Sequence, residues 1–274
     1  MMTRILAVVV TYYPDREPLS QNIQAFVNDV DKVLVWENTP DAEKQQYRYI
    51  RHEKIEYQGD GVNSISHALN GAWRYAEENG YDYLLTMDQD SLFTDFPLYK
   101  KTVMAHCQGL SAIYGPYVEH SLRPVDPVQE REFTITSGMM LPVSTIAAVG
   151  GYDEFFAIDG LDIEFCLRAR QRGIRTYVVR DCVLKQKFGD PKVVSFFGHQ
   201  VSYSSYSPKR LHCMYKSQAI LILTYHSEML WKSFCLYLRK TPRNIILFEE
   251  DKLRKLWAIF SGIFEGVLYQ WFHR

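Results

Sequence analysis

From Ile5 to Ser91 the chain alternates short runs of branched apolar side chains with segments of helical period, and that alternation leaves few folds open. Ile5–Thr11 is continuously apolar and β-branched, the pattern of a strand buried on both faces. A helix is expected around Pro18–Val30, where Ile23, Phe26, Val27 and Val30 recur at helical spacing. Val33–Trp36 reads as a second buried strand, Asp41–Ile50 as a helix and Lys54–Tyr57 as a short third strand. Val62–Asn79 reads as a helix closed by Gly80, and Tyr81–Ser91 opens as a fourth strand. Strands and helices alternating at this pace imply a parallel sheet with helices on both faces.

Open α/β sheets gather ligands outside the carboxyl ends of their strands. The loops there are Thr11–Asp15, Glu37–Pro40, Gln58–Asn63 and Asp88–Ser91, each rich in polar groups. The last begins Asp88-Gln89-Asp90. Residues i and i+2 of a strand share a face, so the two acids project together. Such a pair suits a hard divalent cation that takes its remaining ligands from water and substrate phosphates. Taken alone the triplet fits a solvated turn as well, because Asp and Ser are turn residues. Its polar neighbours at the adjacent strand ends favour a ligand.

The second half changes character. Leu110–Val118 and Phe133–Leu141 read as strands, the latter holding Thr136-Ser137-Gly138. Leu161–Arg172 reads as a helix ended by Gly173, with Asp162 and Glu164 in its first turn and Asp159 just before it. Acids there serve as caps and dipole partners. Three of them in six residues, beside Phe155 and Phe156, exceed what capping needs. Ser202–Pro208 reads as a loop, and a long helical region begins at Lys209, with His212 a structural or surface residue. From Leu253 onward an apolar stripe runs through Leu256, Trp257, Phe260, Phe264, Val267, Leu268 and Trp271, flanked by Lys252, Arg254 and Lys255. It fits peripheral contact with an anionic membrane. It fits equally a face packed on the catalytic domain or on a second subunit, as in a homodimer.

At 274 residues, 47% hydrophobic and 23% charged, the chain has material for one large α/β domain with an extension. A formal net charge of −1 gives no reason to expect nucleic acid as a partner. Five scattered cysteines without a Cys-x-x-Cys argue against a disulfide framework or zinc knuckle and for a reducing, cytoplasmic setting. Met1–Arg4 has no signal-peptide layout, and Phe133–Tyr152, though it lacks charges, is broken by Ser, Thr, Gly and Pro, unlike a membrane span.

Four stretches then carry a family likeness: Val10-Thr11-Tyr12, Asp88-Gln89-Asp90-Ser91, Thr136-Ser137-Gly138 and Phe156–Arg168, the last ending Asp-x-Glu-Phe-x-Leu-Arg. In this order the chain resembles family 2 glycosyltransferases from about Ile5 to Gly189, and most of all the rhamnosyltransferase-type branch that builds bacterial surface polysaccharides. The resemblance implies an α/β GT-A fold, a Rossmann-like nucleotide-diphospho-sugar transferase with a mostly parallel central sheet and a helical C-terminal extension. The catalytic domain would span 1–200, with a nucleotide-binding half at 1–91 and an acceptor half at 92–200, and the extension 201–274.

The same resemblance implies roles. Asp88 and Asp90 would hold Mg²⁺ or Mn²⁺ against the diphosphate of a nucleotide-sugar donor, dTDP-rhamnose or a UDP-hexose. Thr11, Tyr12, Glu37 and Asn38 fall where the family contacts the nucleoside, and Asn63, Ser137, Gly138 and Lys187 complete the expected donor site. Asp162 matches the general base, with Asp159 and Glu164 beside the acceptor, a glycan or lipid-linked hydroxyl. A carboxylate base must take the proton of that poor nucleophile. A divalent ion stabilises the leaving diphosphate, and the transition state is oxocarbenium-like, with inversion.

The chain departs from the family pattern at three places. Glu37 stands where Asp is common, and Gly61-Val62-Asn63-Ser64 replaces an Asn-x-Gly. Gln186 falls near a position where relatives carry a metal-binding His, and an amide is the weaker ligand. Lys185 and Lys187 would then neutralise diphosphate charge instead. Two rival readings are a sugar-1-phosphate nucleotidyltransferase and a catalytically decayed nucleotide-sugar-binding subunit. The first calls for a Gly-rich loop after the first strand, which Thr11–Asp15 lacks. Intact Asp88, Asp90 and Asp162 oppose the second, and Gln186 alone favours it.

Overall fold

The computed structural model describes residues 3–119, 121–186, 189–196 and 198–272. The chain divides into two compact units, Met1–Gln186 and Lys187–Arg274.

The first unit is built on one sheet, nine-stranded among the described residues. Strands β1 (Ile5–Thr11), β2 (Lys32–Glu37), β3 (Ile55–Gln58) and β4 (Tyr83–Asp88) run parallel in the order β3-β2-β1-β4. All seven residues of β1 are buried, as its unbroken apolar run requires. Helices α1 (Arg16–Gln24) and α2 (Ile65–Glu78) cross between them. The remaining strands are β5 (Leu92–Phe93), β6 (Ala112–Val118), β7 (Val128–Arg131), β8 (Met139–Pro142) and β9 (Arg175–Lys185), with helices α3 (Phe96–Cys107), α4 (Val143–Val149) and α5 (Leu161–Gln171). Here the sheet turns mixed. β8 lies antiparallel to β4 and β6, and β9 is parallel to β6 but antiparallel to β5 and β7. The first half is therefore purely parallel, and the second combines the parallel β6–β9 pair with antiparallel neighbours.

Three expected elements come out shorter. The first helix stops at Gln24 and a single 3-10 turn, Val27–Asp29, follows. Asp41–Ile50 forms only a 3-10 turn at Lys44–Tyr47, because Arg48 is drawn into an ion pair with Glu37. The strand expected over Phe133–Leu141 is confined to Met139–Pro142. Gly138 ahead of it takes φ +79°, a backbone region that favours glycine, and its N–H donates to the Thr86 carbonyl at 2.7 Å. Thr86 Oγ1 also donates to Thr136 O at 2.5 Å, so 136–138 is strapped across β4 rather than paired as a strand.

The parallel register aligns the strand ends. Val10 stands beside Asp88, Thr11 beside Glu37 and Trp36 beside Gln58. Close packing supports this edge: a Cβ on Gly71 of α2 would lie 2.0 Å from the Trp36 ring, so only glycine lets the indole sit there.

The second unit holds an antiparallel hairpin, β10 (Asp190–Phe196) and β11 (His199–Ser205), then three helices: α6 (Pro208–Tyr225), α7 (Glu228–Phe248) and α8 (Lys252–Phe272). The hairpin takes up part of the expected Ser202–Pro208 loop. Ser207 and Ser227 cap α6 and α7 through their hydroxyls. α6 and α8 approach closely because Gly262 and Gly266 lie against the main chain of His212 and Lys216. His212 bridges Ser261 and Glu265 at 2.9 Å each, the structural role expected of it. Among the described residues no helix is long and apolar enough to cross a membrane.

Candidate active site

The site is assembled at the aligned ends of β1, β2 and β4. Thr11 is buried; its hydroxyl donates to Trp36 O at 3.2 Å and its carbonyl accepts from Asn38 N at 2.8 Å. Asn38 is buried as well and donates to Ser64 O at 3.2 Å, while its Oδ1 has no hydrogen-bond partner among the described residues. Tyr12 presents its ring to solvent, and its main chain is clamped by Gln89, which accepts from Tyr12 N at 2.7 Å and donates to Tyr12 O at 3.2 Å. The middle residue of the Asp-x-Asp thus joins β4 to β1. Asn63 lies exposed in the loop before α2.

Glu37 is differently employed. Its carboxylate is almost wholly buried and receives three hydrogen bonds from Arg48, the shortest 2.6 Å. Such a bidentate pair is strong and geometrically fixed. Arg48 escapes a reading by motif, since nothing in its local sequence announces the pairing.

The Asp88–Ser91 turn is held from several sides. Asn22 of α1 donates to the carbonyls of Asp88 and Ser91 at 2.7 and 2.6 Å. Asp88 N donates to Ser137 Oγ at 3.1 Å, and that hydroxyl donates to Ser91 Oγ at 2.6 Å. Gln186, directly after β9, donates its amide to Asp88 Oδ2 at 3.0 Å and accepts from the Ser91 hydroxyl. Asp88 is half-buried and Asp90 exposed. Gly138 cannot be exchanged freely: a Cβ would lie 2.6 Å from the Pro116 ring.

The acidic segment converges on the same loop. Asp162, in the first turn of α5, accepts from Ile163 N at 2.9 Å, and the main-chain N–H of Thr136 is among the groups that favour its charged form. Burial pushes its carboxyl up to about 6; those N–H groups pull it down, and the charge of Asp159 adds to the rise. Consecutive residues thus act on the two acidic motifs, the Thr136 N–H on the charge of Asp162 and the Ser137 hydroxyl on the Asp88 turn.

Glu164 is not presented with Asp159 and Asp162. It is buried and bidentate to Arg168 at 2.7 and 2.9 Å, and Arg168 also donates to the carbonyls of Val149 and Gly151. The i,i+4 spacing of the pair carried that signal in the sequence. The loop leading to Asp159 is further tied to α2. Asn70 accepts from Tyr152 N at 2.8 Å and donates to Tyr152 O at 2.9 Å, and Ile65 N donates to Ala157 O at 2.6 Å. His67 sits between Asp60 at 2.7 Å and Glu154 at 3.2 Å, which raise its pKa.

Asp88 and Asp90 supply hard oxygen donors on one turn. Among the described residues no three His, Cys, Asp or Glu side chains converge into a metal cage. This donor set fits a magnesium-like ion that shares its coordination with substrate phosphates, and does not fit a tightly held structural ion. Lys187 lies outside the described residues.

The sheet and site define a GT-A fold. It is shared with Staphylococcus aureus TarS 1–349 in complex with UDP-GlcNAc, at TM-score 0.57 and 13% identity over 95% of this chain and 80% of that one. GalNAc-T7 with UDP, GalNAc and Mn²⁺ superposes at TM-score 0.60 and 10% identity, over 99% of this chain and 58% of that one. No protein-family model matches the chain. In sequence it is 26% identical over 252 residues to the dTDP-rhamnosyl transferase RfbF of Shigella flexneri, covering 84% of this chain and 83% of that protein. The chain is a glycosyltransferase of GT-A fold, rhamnosyltransferase-like in sequence.

Proposed function

We propose that this enzyme transfers one sugar, rhamnose from dTDP-rhamnose or, as the second reading, a hexose from a UDP-sugar, to a hydroxyl of a glycan or lipid-linked acceptor in surface polysaccharide synthesis, with inversion. The observation that carries the reading is the Thr136–Ser137 step, which ties the Asp88 turn to Asp162. A donor site and a proton acceptor that share one rigid loop are what a single displacement requires.

In this reading the nucleoside lies against Thr11, Tyr12 and Asn38, with the Glu37–Arg48 pair and Asn63 at its rim. Ser137 and Gly138 line the diphosphate and sugar, and Lys187, whose placement lies outside the described residues, is proposed from the sequence alone to offset diphosphate charge. Asp88 and Asp90 would hold Mg²⁺ or Mn²⁺, which when bound stabilises charge on the departing diphosphate. Asp162 accepts the acceptor's proton as its oxygen attacks C1, and Asp159 keeps that carboxyl basic enough to do so. Glu164, through Arg168, shapes the loop in front of the acceptor. Five free cysteines support a cytoplasmic setting.

Calorimetric titration with dTDP, UDP and GDP, each with and without Mn²⁺, tests the donor half. Metal-dependent binding of dTDP is expected. Binding of UDP or GDP alone would replace the rhamnosyl assignment, and binding of none would place the decayed-subunit reading first.

A further inference from the structure

The second unit carries a surface that donor binding and the transfer step leave unused. One face of α8 is seated on α6 through Ala258, Ile259, Gly262 and Gly266, all buried. At 100° per residue the opposite face is formed by Leu253, Trp257, Phe260, Phe264, Leu268 and Trp271. These are exposed by 38 to 84%. The helix is thus apolar on two opposite sides, and only one is used internally. Side chains of this size present an apolar patch of roughly several hundred Å², a size at which such patches are often functional.

Charge and composition say what fits the patch. The charged groups bordering the stripe are Lys252 and Arg254, both exposed, at the start of the helix. The one acid within α8, Glu265, is turned to His212 and Lys216 on α6. Arg239, Lys240 and Arg243 on α7 are exposed too, with Glu250 and Asp251 as the exposed acids of the turn between the helices. A partner helix is ordinarily specified by alternating charges along the flanks of the seam. Within α8 the stripe is instead bordered by the two exposed cations of its first turn, Glu250 and Asp251 lying before the helix and Glu265 being paired to α6. Trp and Phe with Lys and Arg at the margin is the make-up of a helix lying in a lipid interface.

We propose that this face of α8 docks on an anionic phospholipid surface, the aromatic rings at the headgroup–acyl boundary and Lys252 and Arg254 at lipid phosphates. The proposal goes beyond the sugar-transfer reading and does not depend on the identity of donor or base.

The test uses the full chain with vesicles of phosphatidylcholine alone or mixed with phosphatidylglycerol, read by co-sedimentation and Trp fluorescence. The expected result is binding about tenfold tighter to the mixed vesicles, weakened by salt. Phe260→Ser/Phe264→Ser should lower it about tenfold or more, with the far-UV circular dichroism unchanged. Should that variant fold poorly, the exposed pair Lys252→Glu/Arg254→Glu should abolish the preference for phosphatidylglycerol. Absence of vesicle binding, or binding that neither variant alters, overturns the proposal. So does a wild-type dimer in light scattering that Phe260→Ser/Phe264→Ser converts to monomer without any vesicle binding, which would assign the stripe to a second copy of the chain.

Discussion

Gln186 donates its side-chain amide to Oδ2 of Asp88 across 3.0 Å, joining the end of β9 to the end of β4. That contact commits one lone pair of Asp88 to the protein and orients the carboxylate. An ion at this turn then depends on Asp90 and on the diphosphate it accompanies. Asp90→Ala is expected to weaken Mn²⁺ and nucleotide diphosphate binding together in calorimetry. Independent loss of only one ligand would separate metal from nucleotide.

Asp162→Asn keeps the shape of the first turn of α5 and removes its proton acceptor. Transfer should fall on the order of 10²–10⁴-fold while nucleotide affinity stays within about twofold. Unchanged transfer would remove Asp162 from the role of base.

The pH profile carries a separate signature. With the Asp162 carboxyl at about 6, the base is deprotonated above that pH and protonated below it. kcat/KM should therefore rise through about pH 6 and level off above. Asp159 contributes to the raised value through its charge, so Asp159→Asn should move this acidic limb to lower pH. A limb that stays in place would show that burial alone sets it.

Arg168→Ala removes the bidentate hydrogen bonds of Arg168 from the buried Glu164 carboxylate and its bonds to the carbonyls of Val149 and Gly151. Stability should fall by roughly 3 kcal/mol in denaturant unfolding, with the m-value unchanged.

Gly71→Ala would place a methyl group into the Trp36 ring. The expected cost is about 1–3 kcal/mol, accompanied by weaker nucleotide binding because Trp36 precedes Glu37 and Asn38. Stability lost without any loss of nucleotide affinity would show that the strand end tolerates displacement.

The part of the fold most legible in the sequence is the parallel half. β1, β2 and β4 are buried on both faces, so their apolar runs are unbroken, and the polar loops that follow them mark the edge where the site forms. The mixed half is less legible because β5, β7 and β8 are only two to four residues long. Met139–Pro142 is fixed by the strap of 136–138 on Thr86, a contact across fifty residues. Of the site, acids at strand and helix ends can be read locally. Their holders cannot: Asn22 resembles a helix surface residue, Gln89 looks like the spacer of a motif, and Arg48 sits in a segment of helical composition that is not helical.

Asn22, Gln89, Ser137 and Gln186, which brace the Asp88–Ser91 turn, are amides and a hydroxyl without formal charge. Protonation and added salt therefore act on the carboxylates of the turn and leave these braces as they are. The turn offers a scaffold whose geometry and charge are set by different groups, so that either can be altered by substitution while the other is retained.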